Sequence, residues 1–204
     1  GNGPCAACSA NSADCKAQTG GGRISAGTCD AGYFSTNNDG VACAACGTNE
    51  YKIAAGNGPC AVCSTNSADC QAQTGGGRIS AGTCDAGYTS FDAGVTCTAC
   101  GTDTYKIAAG NGPCAACSAN SADCKAQTGG GRISAGTCDA GYFSTNNDGV
   151  ACAACGTNEY KIAAGNGPCA VCSTNSADCQ AQTGGGRISA GTCDAGYTSF
   201  DAGV

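Results

Sequence analysis

Apolar residues in this chain form short islands in a matrix of Gly, Asn, Thr, Ser and Asp. Tyr51-Lys52-Ile53 and the residues around Val41 have strand character, each bounded by Gly and Asn. Asn11-Ser12 predicts the cap of a short helical turn through Ala13–Gln18, stopped by Gly20-Gly21-Gly22. The pattern predicts strands of about two to four residues, irregular loops and little helix. No apolar run approaches the ~20 residues of a membrane span.

These islands recur. The chain begins GNGPCAACSANSADC, and Gly56 opens GNGPCAVCSTNSADC. Residues 110–164 repeat 1–55 without a change, and residues 165–204 repeat 56–95. The organisation is a cysteine-rich repeat A at 1–55, a repeat B at 56–109, a copy of A at 110–164 and a truncated copy of B at 165–204. Between A and B, Ala7 becomes Val62, Ala10 becomes Thr65, Lys16 becomes Gln71 and Asn49-Glu50 becomes Asp103-Thr104. These positions are expected to face solvent. The cysteines, glycines, Tyr33/Tyr88, Tyr51/Tyr105, Arg23/Arg78 and Ile53/Ile107 do not change. They are expected to be structural: crosslinks, turns and the small apolar plug that each loop buries.

Composition sets the class. Ile, Val and Phe make up about 8% of the chain and Leu, Met, Trp and His are absent, below the roughly 20% that supports a core. Cysteine contributes 22 of 204 residues, the density of a disulfide scaffold. A bridge closing about 15 residues contributes roughly 3 kcal/mol, so three per repeat give on the order of 9 kcal/mol. Disulfides at this density place the chain in an oxidising compartment, secreted or at a cell surface. No signal peptide precedes the repeats and residue 1 is Gly, so the stretch reads as mature or internal sequence. A net charge of −6, thinly spread, argues against nucleic acid and acidic membranes as partners.

The stretch Cys29–Cys63 organises each repeat. Two turn-rich loops, Cys29 to Cys43 and Cys46 to Cys60, follow one another across Ala44-Ala45, each with a tyrosine four or five residues after its first cysteine. One pairing uses the cysteines locally: Cys8–Cys15, Cys29–Cys43, Cys46–Cys60, Cys63–Cys70, Cys84–Cys97, Cys100–Cys114, Cys117–Cys124, Cys138–Cys152, Cys155–Cys169 and Cys172–Cys179. Cys5 and Cys193 then find partners outside this stretch. Six cysteines allow 15 pairings, so the ladder is one hypothesis among several. The rival is a tetrahedral zinc site at Cys43, Cys46, Cys60 and Cys63, recurring at Cys97/Cys100/Cys114/Cys117 and Cys152/Cys155/Cys169/Cys172. That reading leaves Cys15 and Cys29 unexplained, and the ladder is preferred.

Other chemistry is thin. CxxC as a redox pair needs a helix start in a βαβ setting that the sequence lacks. Thr19-Gly-Gly-Gly-Arg23 lacks the ending of a phosphate loop and reads as a turn. Asn37-Asn38-Asp39-Gly40 has calcium-loop residues without the later Glu, and repeat B replaces it with Ser90-Phe91-Asp92-Ala93. With no His and no plausible base for a Ser or Cys, neither catalytic residues nor a cofactor nor a metal site is expected. No Asn-x-Ser/Thr sequon occurs, and the abundant Ser and Thr leave O-linked glycans open.

The C-x-x-G-Tyr…C-x-x-C-G-Thr…Tyr pattern at Cys29–Cys46–Tyr51 resembles the cysteine-rich repeats of tumour necrosis factor receptors and growth-factor-receptor ectodomains. The CAACSANSADC style resembles ciliate surface proteins of the immobilisation-antigen type. The resemblance recurs in every repeat and implies an elongated, disulfide-laddered extracellular rod. The expected fold class is therefore small disulfide-rich repeats in a rod of tandem units with short strands. The expected function is structural: a surface coat, appendage or fibre, with self-association or chain continuation along its axis. The alternatives are a ligand-binding or adhesive ectodomain, then a zinc-binding CxxC array.

Overall fold

A computed structural model describes residues 6–19 and 25–199. Backbone proximity divides the chain into two compact units, one of residues 1–98 with 109–112, the other of residues 99–108 with 113–204. Both are built of the same pieces: one-turn helices, strands of two or three residues, and disulfides.

In the first unit the elements are α1 (Ala13–Ala17), β1 (Tyr33–Ser35), β2 (Cys43–Ala45), β3 (Glu50–Tyr51), β4 (Ala61–Val62), α2 (Ala68–Gln71) and β5 (Tyr88–Thr89). β6 (Thr98–Ala99) follows. The second unit continues with β7 (Thr104–Tyr105), β8 (Ala115–Ala116), α3 (Ala122–Ala126), β9 (Tyr142–Ser144), β10 (Cys152–Ala154), β11 (Glu159–Tyr160), β12 (Ala170–Val171) and α4 (Ala177–Gln180). β1 pairs antiparallel with β2 and β3 with β4; β7–β8, β9–β10 and β11–β12 repeat the arrangement. The register sets Tyr33 opposite Ala45, Phe34 opposite Ala44 and Ser35 opposite Cys43, so the small Ala-Ala linker lets the aromatic strand lie close.

Ten disulfides close among the described residues. Cys8–Cys15, Cys29–Cys43 and Cys46–Cys60 span 7, 14 and 14 positions, and the cycle then recurs. Their Cα atoms lie 5.4 to 5.8 Å apart, the ordinary span of a cystine. By loop-closure entropy the short and long loops contribute about 2.5 and about 3 kcal/mol each.

Among the described residues the buried apolar side chains form small separate clusters. The most completely buried side chains are cystine sulfurs, such as Cys29, Cys46, Cys84 and Cys138, together with Ser12, Ser67, Ser121 and Ser176. In each helix the serine is the N-cap residue, but its hydroxyl does not cap. It turns inward, with Ser12 Oγ 2.9 Å from Asp14 Oδ1 and 3.3 Å from the carbonyl of Ala26. The helix start is capped from outside instead, because the Ala13 N–H donates to Asp30 Oδ1 at 3.0 Å.

Three expectations need correction. The strand expected at Tyr51-Lys52-Ile53 stops at Tyr51; the Lys52 N–H and carbonyl bond instead to Arg78 and Gly32 of other segments. The Val41 region is a bend, and the strand begins at Cys43. Its turn needs Asn38 at φ 59° and Gly40 at φ 75°. A Cβ on Gly40 would meet the Gly27 carbonyl. Finally, Ile53 and Ile107 are not plugs: both are 61% exposed. The helix of repeat A ends at Ala17, and the glycines expected to stop it, residues 20–22, lie outside the described residues. Their copies Gly75–Gly77, Gly129–Gly131 and Gly184–Gly186 form single 3-10 turns. Gly76 has no alternative, because the Tyr33 ring and hydroxyl occupy the place of its Cβ.

Candidate functional site

The feature that recurs most completely is the joint between consecutive repeats. The sequence seam falls between Ala55 and Gly56, inside the loop closed by Cys46–Cys60. Cys100–Cys114 and Cys155–Cys169 straddle the later seams in the same way. Each repeat is thus covalently tied into the next by a bridge that neither closes alone.

The loop also carries the plug. Tyr51, 3% exposed, packs with Cys63, Cys70 and Ala81 of the following repeat. Tyr105 packs with Cys124 and Ala135 against Cys117, and Tyr160 with Cys172, Cys179 and Ala190. An aromatic ring over a short cystine loop combines a large apolar area with favourable sulfur contacts. Strand pairing aims the ring: the register sets Tyr51 opposite Ala61, and the Cys63 N–H donates to the Asn49 carbonyl at 2.8 Å. Asn49 reaches this geometry at φ 61°.

Polar side chains lock the joint. Arg78 Nη1 donates to the Cys46 carbonyl at 2.5 Å and Nε to the Gln73 carbonyl at 2.9 Å. Arg187 makes the same contacts with Cys155 and Gln182. Lys52 N–H donates to the Arg78 carbonyl at 2.9 Å, while Lys52 Nζ reaches the carbonyls of Tyr33 and Gly56. Burial lowers the Lys52 ammonium below its ordinary value, as it does Lys106 and Lys161. Asn57 clamps backward across the seam: its Oδ1 accepts from the Cys29 N–H at 3.0 Å and its Nδ2 donates to the Gly27 carbonyl at 3.2 Å. Asn111 and Asn166 repeat this with Cys84/Gly82 and Cys138/Gly136.

A second device recurs in the helix-bearing loop of every repeat, including the three loops that receive a tyrosine. Both oxygens of Asp14 accept from the Thr28 N–H, and Oδ2 accepts from Thr28 Oγ1 at 2.7 Å. These bonds hold the carboxyl at about 2. Asp178, bonded likewise to Thr192, also lies at about 2. For Asp69 and Asp123 burial opposes the shift, and the bonds from Thr83 and Thr137 outweigh it. Burial, with the nearby charge of Asp92, raises the Tyr51 phenol above its usual value; Tyr105 is raised by burial and Asp148.

The zinc-like quartet is distributed over three bridges: Cys43 to Cys29, Cys46 to Cys60, and Cys63 to Cys70. Sulfur held in a cystine offers no thiolate for coordination. In the Asn37–Gly40 loop, Asp39 Oδ1 accepts from Ser35 Oγ and the Val41 N–H, which makes it the staple of a turn. Asp92 plays this part in repeat B, taking Ser90 Oγ and the Thr96 N–H. The Thr19–Arg23 segment includes residues outside the described ones, and its copy at Thr74–Arg78 serves the joint. Cys193, half-buried, makes no bridge with another described residue. Among the described residues no helix is long and apolar enough to cross a membrane.

Sequence reasoning singled out the fixed tyrosines and arginine but not their targets, and it missed Asn57 and Lys52. The available signal was the Asn-Gly-Pro-Cys string that opens every second CxxC, at 57, 111 and 166. On the outer side of the joint loops, Ile53, Ile107 and Ile162 stand about 60% exposed at equivalent places, and elsewhere Phe91 is 91% exposed. The chain matches no protein-family model, and no curated protein matches it. It is a cysteine-rich tandem-repeat protein suited to an oxidising, extracellular or secreted setting, in a structural or ectodomain role.

Proposed function

We propose that the protein is a structural extracellular polymer, a disulfide-stabilised surface coat, appendage or fibre, in which repeats add along one axis through the tyrosine joint. The observation that carries this reading is the seam-crossing loop: in each of three joints a cystine loop spans the boundary and plants a tyrosine on the next repeat. A joint of this kind uses each repeat as both donor and acceptor, the requirement for open-ended stacking. The near-identity of the repeats suits an object presenting one surface at regular intervals, as the resemblance to ciliate immobilisation antigens implies. Exposed Thr36, Thr48 and Thr102 offer attachment points for O-linked glycans.

The reading assigns no catalytic role. The carboxylates with the most perturbed acidity are saturated by bonds from their own loops. The exposed Ile53, Ile107, Ile162 and Phe91 favour the second reading, an adhesive or ligand-binding ectodomain.

The test is particle shape. Small-angle scattering on chains of two, four and six repeats should give a maximum dimension rising linearly with repeat number. Growth as about the 0.38 power of length, the behaviour of a globule, would refute the rod and move the reading to a discrete ectodomain.

A further inference from the structure

Asn-Gly is the dipeptide that shields an asparagine amide least, because glycine sets no side chain beside its own backbone nitrogen. Among the described residues it occurs at Asn57-Gly58, Asn111-Gly112 and Asn166-Gly167, each time in a bridged loop that crosses a seam. In all three places the side chain is held at both ends. Asn57 Oδ1 accepts from the Cys29 N–H at 3.0 Å and Nδ2 donates to the Gly27 carbonyl at 3.2 Å. Asn111 and Asn166 make the same bonds at 2.9 to 3.3 Å. The Asn57 carbonyl accepts from the Ser35 N–H at 3.1 Å, as those of Asn111 and Asn166 do from Ser90 and Ser144. Nδ2 is also closely enclosed, since a Cβ on Gly40 would stand 3.0 Å from it. With side chain and backbone both fixed, Asn57 Cγ cannot turn to meet the Gly58 nitrogen.

We infer that Asn57, Asn111 and Asn166 are self-modifying sites, unreactive while the joint is closed and converted to aspartate or isoaspartate when it opens. In the open loop the Gly58 nitrogen attacks Asn57 Cγ. A C–N bond forms, the Cγ–Nδ2 bond breaks, and Nδ2 leaves as ammonia with the proton of the Gly58 N–H. Water then opens the cyclic imide at either carbonyl, giving aspartate or isoaspartate. Neither product restores the clamp. Ionised aspartate has no proton to donate, so its second oxygen meets the Gly27 carbonyl lone pair to lone pair. Isoaspartate lengthens the backbone by one carbon inside a loop of fixed closure and displaces the carbonyl that took the Ser35 N–H. The joint therefore keeps an irreversible record of having opened, whatever the shape of the particle.

The intact oxidised chain and the same chain reduced and alkylated are incubated side by side at mildly alkaline pH. Mass spectrometry follows the change of amide to acid at each site. Conversion at Asn57, Asn111 and Asn166 should be at least about 10-fold slower in the intact chain, the factor by which closure suppresses the open joint. Gly58→Ala should slow conversion at Asn57 in the reduced chain by crowding the attacking nitrogen. In the folded chain a Cβ there meets nothing within 4 Å, so the clamp stays intact. The lost clamp is read directly in the intact Asn57→Asp chain. Amide exchange at Cys29 and Ser35 should accelerate, while Cys138 and Ser144, at the unaltered Asn166 joint, keep their rates and report that the chain is folded. Equal conversion in the intact and reduced chains, unslowed conversion with Gly58→Ala, or wild-type exchange at Cys29 in the Asn57→Asp chain would overturn the inference.

Discussion

Tyr51 and Ile53 are two residues apart in one disulfide loop, both apolar and both fixed between repeats, yet Tyr51 is 3% and Ile53 61% exposed. On hydrophobicity alone Ile53 has the stronger claim to the interior. What separates them is covalent geometry. Tyr51 lies in β3, paired with β4, and that pairing aims its ring at the Cys63–Cys70 loop. Ile53 follows Lys52, whose backbone bonds lead to Gly32 and Arg78, and it emerges on the outer side. In a chain stabilised mostly by crosslinks, burial follows the few cavities that bridged loops create. Side chains without such a cavity stay exposed however apolar they are.

The sharpest way to break that comparison is truncation at both places. Tyr51→Ala should cost about 3–5 kcal/mol, the range for deleting a large buried ring, and Ile53→Ala within about 0.5 kcal/mol. Denaturant unfolding under non-reducing conditions, with amide exchange at Lys52 and Cys63 as the local readout, measures both. Similar costs at the two sites would remove the distinction.

Alkaline titration sharpens the same contrast. Burial and Asp92 raise the Tyr51 phenol, and burial and Asp148 raise that of Tyr105. A phenol raised in the folded state stabilises the fold below its unfolded value of about 10, and that contribution is lost as pH climbs through the folded value. Ultraviolet titration should show late-ionising phenols above pH 10, with joint loosening at the same pH. Tyr51→Phe should remove one of them.

The smallest effect lies on the acceptor side. Asp14 and Asp178 are depressed to about 2, so the bonds to Thr28 and Thr192 contribute fully above the unfolded value of about 4 and are lost as pH falls to about 2. Amide exchange at Thr28 and Thr192 should accelerate across that window while the bridges persist. Asp14→Asn should give the faster exchange at neutral pH.

The fold class was legible because cysteine density and the scarcity of Ile, Val and Phe leave little choice but small bridged units with short strands. The single helical turn after Ser12 was legible in place, though not in mechanism, since the capping group is Asp30 at a distance of 17 residues. Ile53 was misplaced because invariance between repeats was taken as burial. The joint was hidden for a different reason. Repeat comparison draws the unit boundary at Gly56, whereas the covalent loop runs from Cys46 to Cys60 across it. Asn57 therefore looked like the opening of a repeat, when its side chain closes the one before.

Disulfide mapping of the intact chain tests the central claim most directly, that each repeat is locked to the next by a bridge across the seam. Non-reducing digestion followed by mass spectrometry should recover the Cys46- and Cys60-bearing peptides joined to one another, and the Cys63 and Cys70 peptides likewise. Cys43 joined to Cys60, or the quartet Cys43, Cys46, Cys60 and Cys63 recovered as thiols that alkylate only after chelation, would contradict it.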